Sequence, residues 1–351
     1  MKRFFLTTSF AGLLALGWFG GYEKASAAGE QVSGQGKFKF RVLYRGDHLP
    51  QEAQAVLKGA HGGFVTDLRP GKGETYFALK GGGIIQISKD LKSTRMMPTP
   101  AEMKGTNSHN ANLWNAPDGK TYMLFPGNEA QSVFLTTMDG KLVDTLKAPT
   151  ADNDLGNPGA QAYFRDKGPF IPTDMDQLDG LLYISTGYSK LDMILTAKLS
   201  VKPAKMTWHD LTWGGKGTGV GQFGTGHGIT VKGRRIDVAD RPNSEVDRFS
   251  RHGQYLSTLS LPKGSFPCDT YYMGEYGVIG ALHGPDRTKG APIYLLQGDE
   301  LVSTIMPKEE LGLVNFQHVH NATMRELNGK LYIIAQAWNP GDFAILEQVA
   351  N

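Results

Sequence analysis

Three histidines have the residue type and setting for metal chemistry. His109, His227 and His320 stand in strings of similar form, Ser-His-Asn-Ala-Asn-Leu, Gly-His-Gly-Ile-Thr-Val and Val-His-Asn-Ala-Thr-Met. They lie 118 and 93 residues apart, so they meet only if the architecture returns the chain to one point. Three imidazoles with an open fourth position suit a catalytic Zn2+, whereas a calcium site needs oxygens. The competing reading is three unrelated histidines with ordinary hydrogen bonds. His48 and His61 are candidates for the same face, and His318 competes with His320. His209, His252 and His283 read as loop or surface residues.

The elements that would position these side chains are short strands. Residues 110–135 read NANLWNAPDGKTYMLFPGNEAQSVFL, and related forms recur at 172–195, 227–256 and 321–346, with fainter copies at 62–87 and 270–302. Each joins runs of period-two alternation through turn pairs such as Asp118-Gly119, Asp179-Gly180 and Asn328-Gly329. Six copies spaced by roughly 40 to 60 residues predict an all-β, six-bladed β-propeller over residues 41–351, with 28–40 as a linker. Only residues 51–57 carry a helical apolar face. In a six-fold ring the inner strand of each blade begins near the axis. The three histidines open alternate blades, which predicts a near-trigonal set.

Composition narrows the class. The 351 residues are 40% hydrophobic, enough for a large core. The 45 glycines follow no three-residue period, so they belong in turns. A net charge of +3 gives no support to nucleic-acid binding. The single Cys268 excludes an internal disulfide framework and a Cys-rich zinc module, and reads as a small buried residue. Lys2 and Arg3 precede an apolar run that leads to Ala25-Ser26-Ala27. This predicts a signal peptide over residues 1–27, cleaved before Ala28, and an exported protein, periplasmic or secreted. An uncleaved anchor helix is the alternative. No later apolar run approaches membrane-spanning length, so the mature chain is expected to lack a span.

Residues 226–256, GHGITVKGRRIDVADRPNSEVDRFSRHGQYL, resemble an NHL repeat. Val42-Leu43-Tyr44-Arg45-Gly46-Asp47-His48, Pro172-Thr173-Asp174, Gly187-Tyr188 and Val238-Ala239-Asp240-Arg241 occur in an order similar to that of peptidyl-α-hydroxyglycine α-amidating lyase. The resemblance runs from about Arg41 to Leu346. It implies zinc on His109, His227 and His320, a catalytic Tyr188, and active-site arginines at Arg45 and Arg241. It also implies a structural calcium next to the third histidine, where this chain has Asn321 in place of the family's Asp. One negative charge is lost there, and Ca2+ affinity should fall. The family's disulfides are missing, and Ser189 stands where a cysteine flanks the catalytic Tyr.

The implied substrate is a small molecule or peptide ending in α-hydroxyglycine, a carboxylate-bearing carbinolamide. Its breakdown to a primary amide and glyoxylate needs the hydroxyl proton removed and the amide nitrogen protonated. Zinc would lower the hydroxyl pKa and Tyr188 would take the proton. Arg45 and Arg241 would orient the carboxylate and stabilise charge. Singly, these residues have plainer readings. Tyr188 could be a wet blade aromatic, and Arg241 a tie to Asp240 or Glu245. Two rival functions remain open: a lactonase-like hydrolase with a divalent ion on Asp174 and Asp269, and a non-catalytic NHL platform in the cell envelope.

Overall fold

A computed structural model describes Met1 and residues 30–349. The expected signal peptide lies outside the described residues apart from Met1. The chain divides into two units, Met1–Glu30 and Gln31–Asn351, and the second holds the strands.

Six antiparallel sheets form a six-bladed β-propeller. Blade 1 comprises Val65–Thr66, Thr75–Leu79, Gly83–Ile87 and Thr94–Met96, and blade 2 comprises Asn112–Asn115, Thr121–Gly127, Ser132–Thr137 and Leu142–Lys147. Blade 3 is built from Asp174–Leu178, Leu181–Ser185, Met193–Val201 and Ala204–Gly214. Blade 4 holds Gly226–Lys232, Arg235–Asp240, Glu245–Ser250 and Tyr255–Ser260. Blade 5 holds Phe266–Met273, Tyr276–His283, Ile293–Gln297 and Glu300–Ile305. Blade 6 takes Val319–Leu327, Lys330–Ala337 and Asp342–Gln348 from the C-terminal end and Phe38–Arg45 from the N-terminal end. The first strands of blades 2 to 6 touch in succession, and that of blade 6 returns to blade 1, so they surround the axis.

The sharp reversals follow from the turn pairs. Asp179 and Gly180 both have positive φ, at 53° and 79°, as do Asn328 and Gly329 at 53° and 75°. That is the hairpin turn whose twist matches the flanking strands.

The N-terminal segment differs from expectation. Within the expected 28–40 linker, Ser33–Gln35 is a strand and Phe38 begins another, Phe38–Arg45, which closes the ring. Phe38 and Phe40 are buried between blades 5 and 6. The helical turn expected at 51–57 is present as Gln51–Val56. A helix not anticipated, Pro158–Arg165, is started by the Asn157 side chain, which accepts from the Ala160 N–H, and by Pro158 in its first turn. It buries only Ala160 and Phe164, too few residues to show a period.

Apolar packing lies between blades rather than on the axis. Six clusters match the six blade interfaces, as with Phe64, Phe77 and Phe343 between blades 6 and 1. Each buried Phe contributes about 1.5–3 kcal/mol. The axis is thereby left free for polar groups. Among the described residues, no helix is long and apolar enough to cross a membrane.

Candidate metal centre

One irregularity recurs at the start of the inner strands. In blade 4, Gly226 pairs with Asp240 but Gly228 with Ala239, so His227 is an extra residue in the ladder. In blade 6, Val319 pairs with Ala337 and Asn321 with Gln336, which makes His320 the extra residue. Cys268 holds the same place in blade 5, between Pro267 and Asp269. In blade 2, Ser108 bridges Gly127 and Asn112 pairs with Leu124, the same one-residue offset around His109. A β-bulge re-aims the side chain it carries. Here it lets two successive residues face the axis, giving two polar layers.

The upper layer holds the histidines. His109, His227 and His320 are 1–2% exposed, and their ring centroids lie 4.7, 4.6 and 5.1 Å apart pairwise. Each ring is fixed through Nδ1 to a carbonyl of the next blade: His109 to Thr173 at 2.6 Å, His227 to Cys268 at 2.6 Å, and His320 to Gly62 at 2.9 Å. A carbonyl only accepts, so Nδ1 carries the proton and Nε2 presents a lone pair. Burial, acting first, holds all three rings well below the ordinary histidine range, and they are neutral at pH 7. His109 Nε2 lies 3.1 Å from His320 Nε2. Two lone pairs at that distance repel unless a cation lies between them. Two nitrogens on one tetrahedral zinc would be about 3.3 Å apart. The His109–His320 pair therefore fits a metal ion, and all three imidazoles are anchored by carbonyls as ligating imidazoles usually are.

A fourth histidine joins them. His61, at the start of blade 1, packs edge-on against His109 and His320 with centroids 4.6 and 4.4 Å away. His61, His109 and His320 each bring a nitrogen within 4.8 Å of the others and could hold a metal ion. Its hydrogen bonding is reversed, however. The Asn107 amide donates to His61 Nδ1 at 3.2 Å, which leaves the proton on Nε2, the atom facing inward. His61 thus presents a proton inward and His227 a lone pair. His48, by contrast, stacks on Tyr44 and bonds the Leu91 carbonyl.

Tyr188 occupies the middle. Its hydroxyl lies 3.0 Å from His227 Nε2, 3.1 Å from His109 Nε2, 3.1 Å from His61 Nε2 and 3.2 Å from Arg241 Nη1. Burial pushes its pKa up and the Arg241 guanidinium opposes this; burial wins. The turn carrying Tyr188 reaches blade 4 because residue 187 is glycine. A Cβ there would sit 2.4 Å from the Gly226 carbonyl oxygen, which is backbone and cannot yield cheaply. Gly187→Ala is expected to destabilise the fold by about 1–3 kcal/mol, read as a lowered denaturant midpoint; an unchanged midpoint would refute the contact.

Arg241 follows the strand Arg235–Asp240 and is 7% exposed. Its Nη2 donates to Cys268 Sγ at 3.1 Å, and its Nε has no partner. Neither Asp240 nor Glu245 holds it. Asp240 accepts from Gly224, Thr225 and Asn243 instead. Among the described residues no carboxylate pairs with Arg241, an uncompensated buried cation.

Arg45 is elsewhere. It ends the strand Phe38–Arg45, exposed, with its guanidinium on the carbonyls of Leu311 and Gly312. The structure does not bring it to Tyr188 or to the histidines, because its strand closes blade 6 from outside. The carboxylate clamp expected from two arginines reduces to Arg241.

The lower layer is acidic. Asp174, Asp176 and Asp269 line a cavity of about 460 Å³ with Asn110 and Tyr271. Burial raises all three carboxyls, Asp176 to about 7 and Asp269 to about 6. Asn321 donates its amide to Asp269 Oδ2 at 2.8 Å, as Asn110 does at 3.0 Å. Its side-chain oxygen accepts from the Phe64 N–H at 3.4 Å, so Asn321 is engaged as a hydrogen-bonding residue.

No family model matches this sequence, and no curated protein matches it. Solved structures do resemble its fold. Virginiamycin B lyase from Staphylococcus aureus aligns at a TM-score of 0.51 and 12% identity, over 89% of this chain and 100% of that one. A catalytically inactive form of it with quinupristin aligns at 0.50 and 11%, over 84% and 96%. The Swd1 β-propeller domain from Myceliophteria thermophila aligns at 0.50 and 9%, over 89% and 100%. At these identities the likeness is one of fold.

Proposed function

We propose that the protein is an exported, zinc-dependent lyase similar to peptidyl-α-hydroxyglycine α-amidating lyase. Its substrate is a carbinolamide of the α-hydroxyglycine type, cleaved at the N–C bond to a primary amide and glyoxylate. The observation that carries this reading is the Tyr188 hydroxyl, set among imidazole nitrogens beside a buried guanidinium that lacks a carboxylate. That a propeller can host lyase chemistry is seen in virginiamycin B lyase, which has an inactive histidine-to-alanine form.

His109, His227 and His320 would hold the zinc through Nε2. Zinc, when bound, would supply a Lewis acid and a positive charge to the site. Arg241 binds the substrate carboxylate, which supplies the counter-charge its surroundings lack. Arg241 Nη1 and His61 Nε2 both donate to the Tyr188 oxygen, and two donors favour its charged form. Tyr188 can then take the hydroxyl proton and return it to the departing amide nitrogen. The C–N bond breaks, the hydroxyl carbon becomes the aldehyde of glyoxylate, and no proton is gained or lost overall.

The experiment is metal analysis of the purified mature protein with an assay on α-hydroxyhippurate. About one zinc per chain and equal yields of benzamide and glyoxylate are expected, from a chain beginning at Ala28. A metal-free, inactive protein would instead favour the binding platform. Arg241→Met separates binding from stability. Losing one charge-assisted clamp should lower kcat/KM by about 10–100-fold. Removing an unpaired buried cation should leave the melting temperature unchanged or higher. A large fall in melting temperature would show that Arg241 is structural.

A further inference from the structure

We infer that a row of partly exposed rings on blades 5 and 6 binds the acyl side of the substrate, and that the acyl group is aromatic. This rests on the lyase reading for where the reacting bond lies. The row starts at His61, which touches the Tyr188 hydroxyl. Trp338 stacks on His61 with centroids 5.1 Å apart and planes 30° apart. His318 follows at 5.7 Å from Trp338, His283 at 4.8 Å from His318, and Phe266 at 5.5 Å from His283. Arg287 caps the far end, 4.2 Å over the Phe266 ring.

Three features distinguish this row from core packing. All four rings beyond His61 are only partly buried, whereas the aromatics between blades, such as Phe77 and Phe343, are fully buried. None of the four belongs to a blade-interface cluster. They also come from four separate places, at the axial ends of Phe266–Met273 and Tyr276–His283 and beside Val319–Leu327 and Lys330–Ala337. A backbone bond from Trp338 N–H to the His318 carbonyl, and a bond from His318 Nδ1 to the Leu282 carbonyl, fix the two nearest rings. With the substrate carboxylate on Arg241 in blade 4 and the reacting bond at the Tyr188 hydroxyl, the ring of this row beyond His61 that lies nearest the reacting centre is Trp338, which stacks on His61. Stacking of one aromatic ring there is worth about 0.5–1.5 kcal/mol, or roughly two- to tenfold in affinity.

The test compares two unreactive glycine conjugates, hippurate and N-acetylglycine, binding to the metal-loaded protein by calorimetry. Hippurate is expected to bind about two- to tenfold tighter. Trp338→Ala should remove that preference while N-acetylglycine affinity stays within about twofold, and Trp338→Phe should keep it. Should Trp338→Ala not fold, His318→Ala carries the same expectation. Equal binding of the two conjugates by the unaltered protein, or parallel losses for both in the variants, overturns the subsite. The two readings fail differently. A Trp338-dependent preference without turnover of α-hydroxyhippurate leaves the subsite standing and removes the lyase. Turnover without any aromatic preference does the reverse.

Discussion

His227→Ala is expected to lose bound zinc and with it all measurable glyoxylate release, while His61→Ala keeps the metal. Both histidines lie against the same cluster, and nitrogen distance alone favours His61, which with His109 and His320 forms a set within 4.8 Å of one another. What favours His227 instead is the partner of the far nitrogen. His227 Nδ1 faces the Cys268 carbonyl and must carry a proton, so its Nε2 lone pair faces inward. His61 Nδ1 faces the Asn107 amide and must accept, so its inward nitrogen is already protonated. A metal cannot share that nitrogen without first turning the ring or removing its proton. Carbonyl-anchored ligands are also the pre-oriented ones, and loss of one from a three-histidine set leaves two, too few for a tight zinc site. Metal content by plasma spectrometry after gel filtration reads the outcome. A zinc-free His61→Ala beside a zinc-loaded His227→Ala would mean that the ligand set is His61, His109 and His320.

The convergence of His109 and His320 was legible because a propeller returns each blade start to the axis, and the turn pairs mark the blades. His61 opens blade 1 in the string Ala-His-Gly-Gly, which shares the His-plus-small-residue form of Gly-His-Gly at 226–228. The sequence marks it only as a candidate for the same face, because the strand pattern is weak where the first strand of that blade is only Val65–Thr66. The bulges were not legible. They depend on how each inner strand pairs with the next, and two successive inward side chains look like a break in alternation. Arg45 shows the opposite error. The string Arg-Gly-Asp-His carried a role across by similarity, but its strand pairs with Asp342–Gln348 at the other end of the chain. Phe38, Phe40 and Val42 do alternate, yet nothing local to them names a partner some 300 residues away. A short string places a residue chemically; only pairing places it in space.

Tyr188→Phe should keep one zinc per chain and lose about 10²–10⁴ in kcat, the range for removing a positioned acid–base group. The metal should stay because none of the three ligands depends on the phenol: each imidazole is held through Nδ1 by a carbonyl of a neighbouring blade. Binding of hippurate should change little, since the carboxylate is assigned to Arg241. The fall should therefore appear in kcat rather than in KM, the pattern of an interaction used in the transition state. Stability should fall modestly. Removing the oxygen leaves Arg241 Nη1 buried without its acceptor, a cost of about 1–3 kcal/mol, and the neighbouring Nε already has none. Two outcomes would remove Tyr188 from the chemistry. Full turnover would show that the proton leaves by another route, and loss of zinc with the activity would make the phenol part of the metal site.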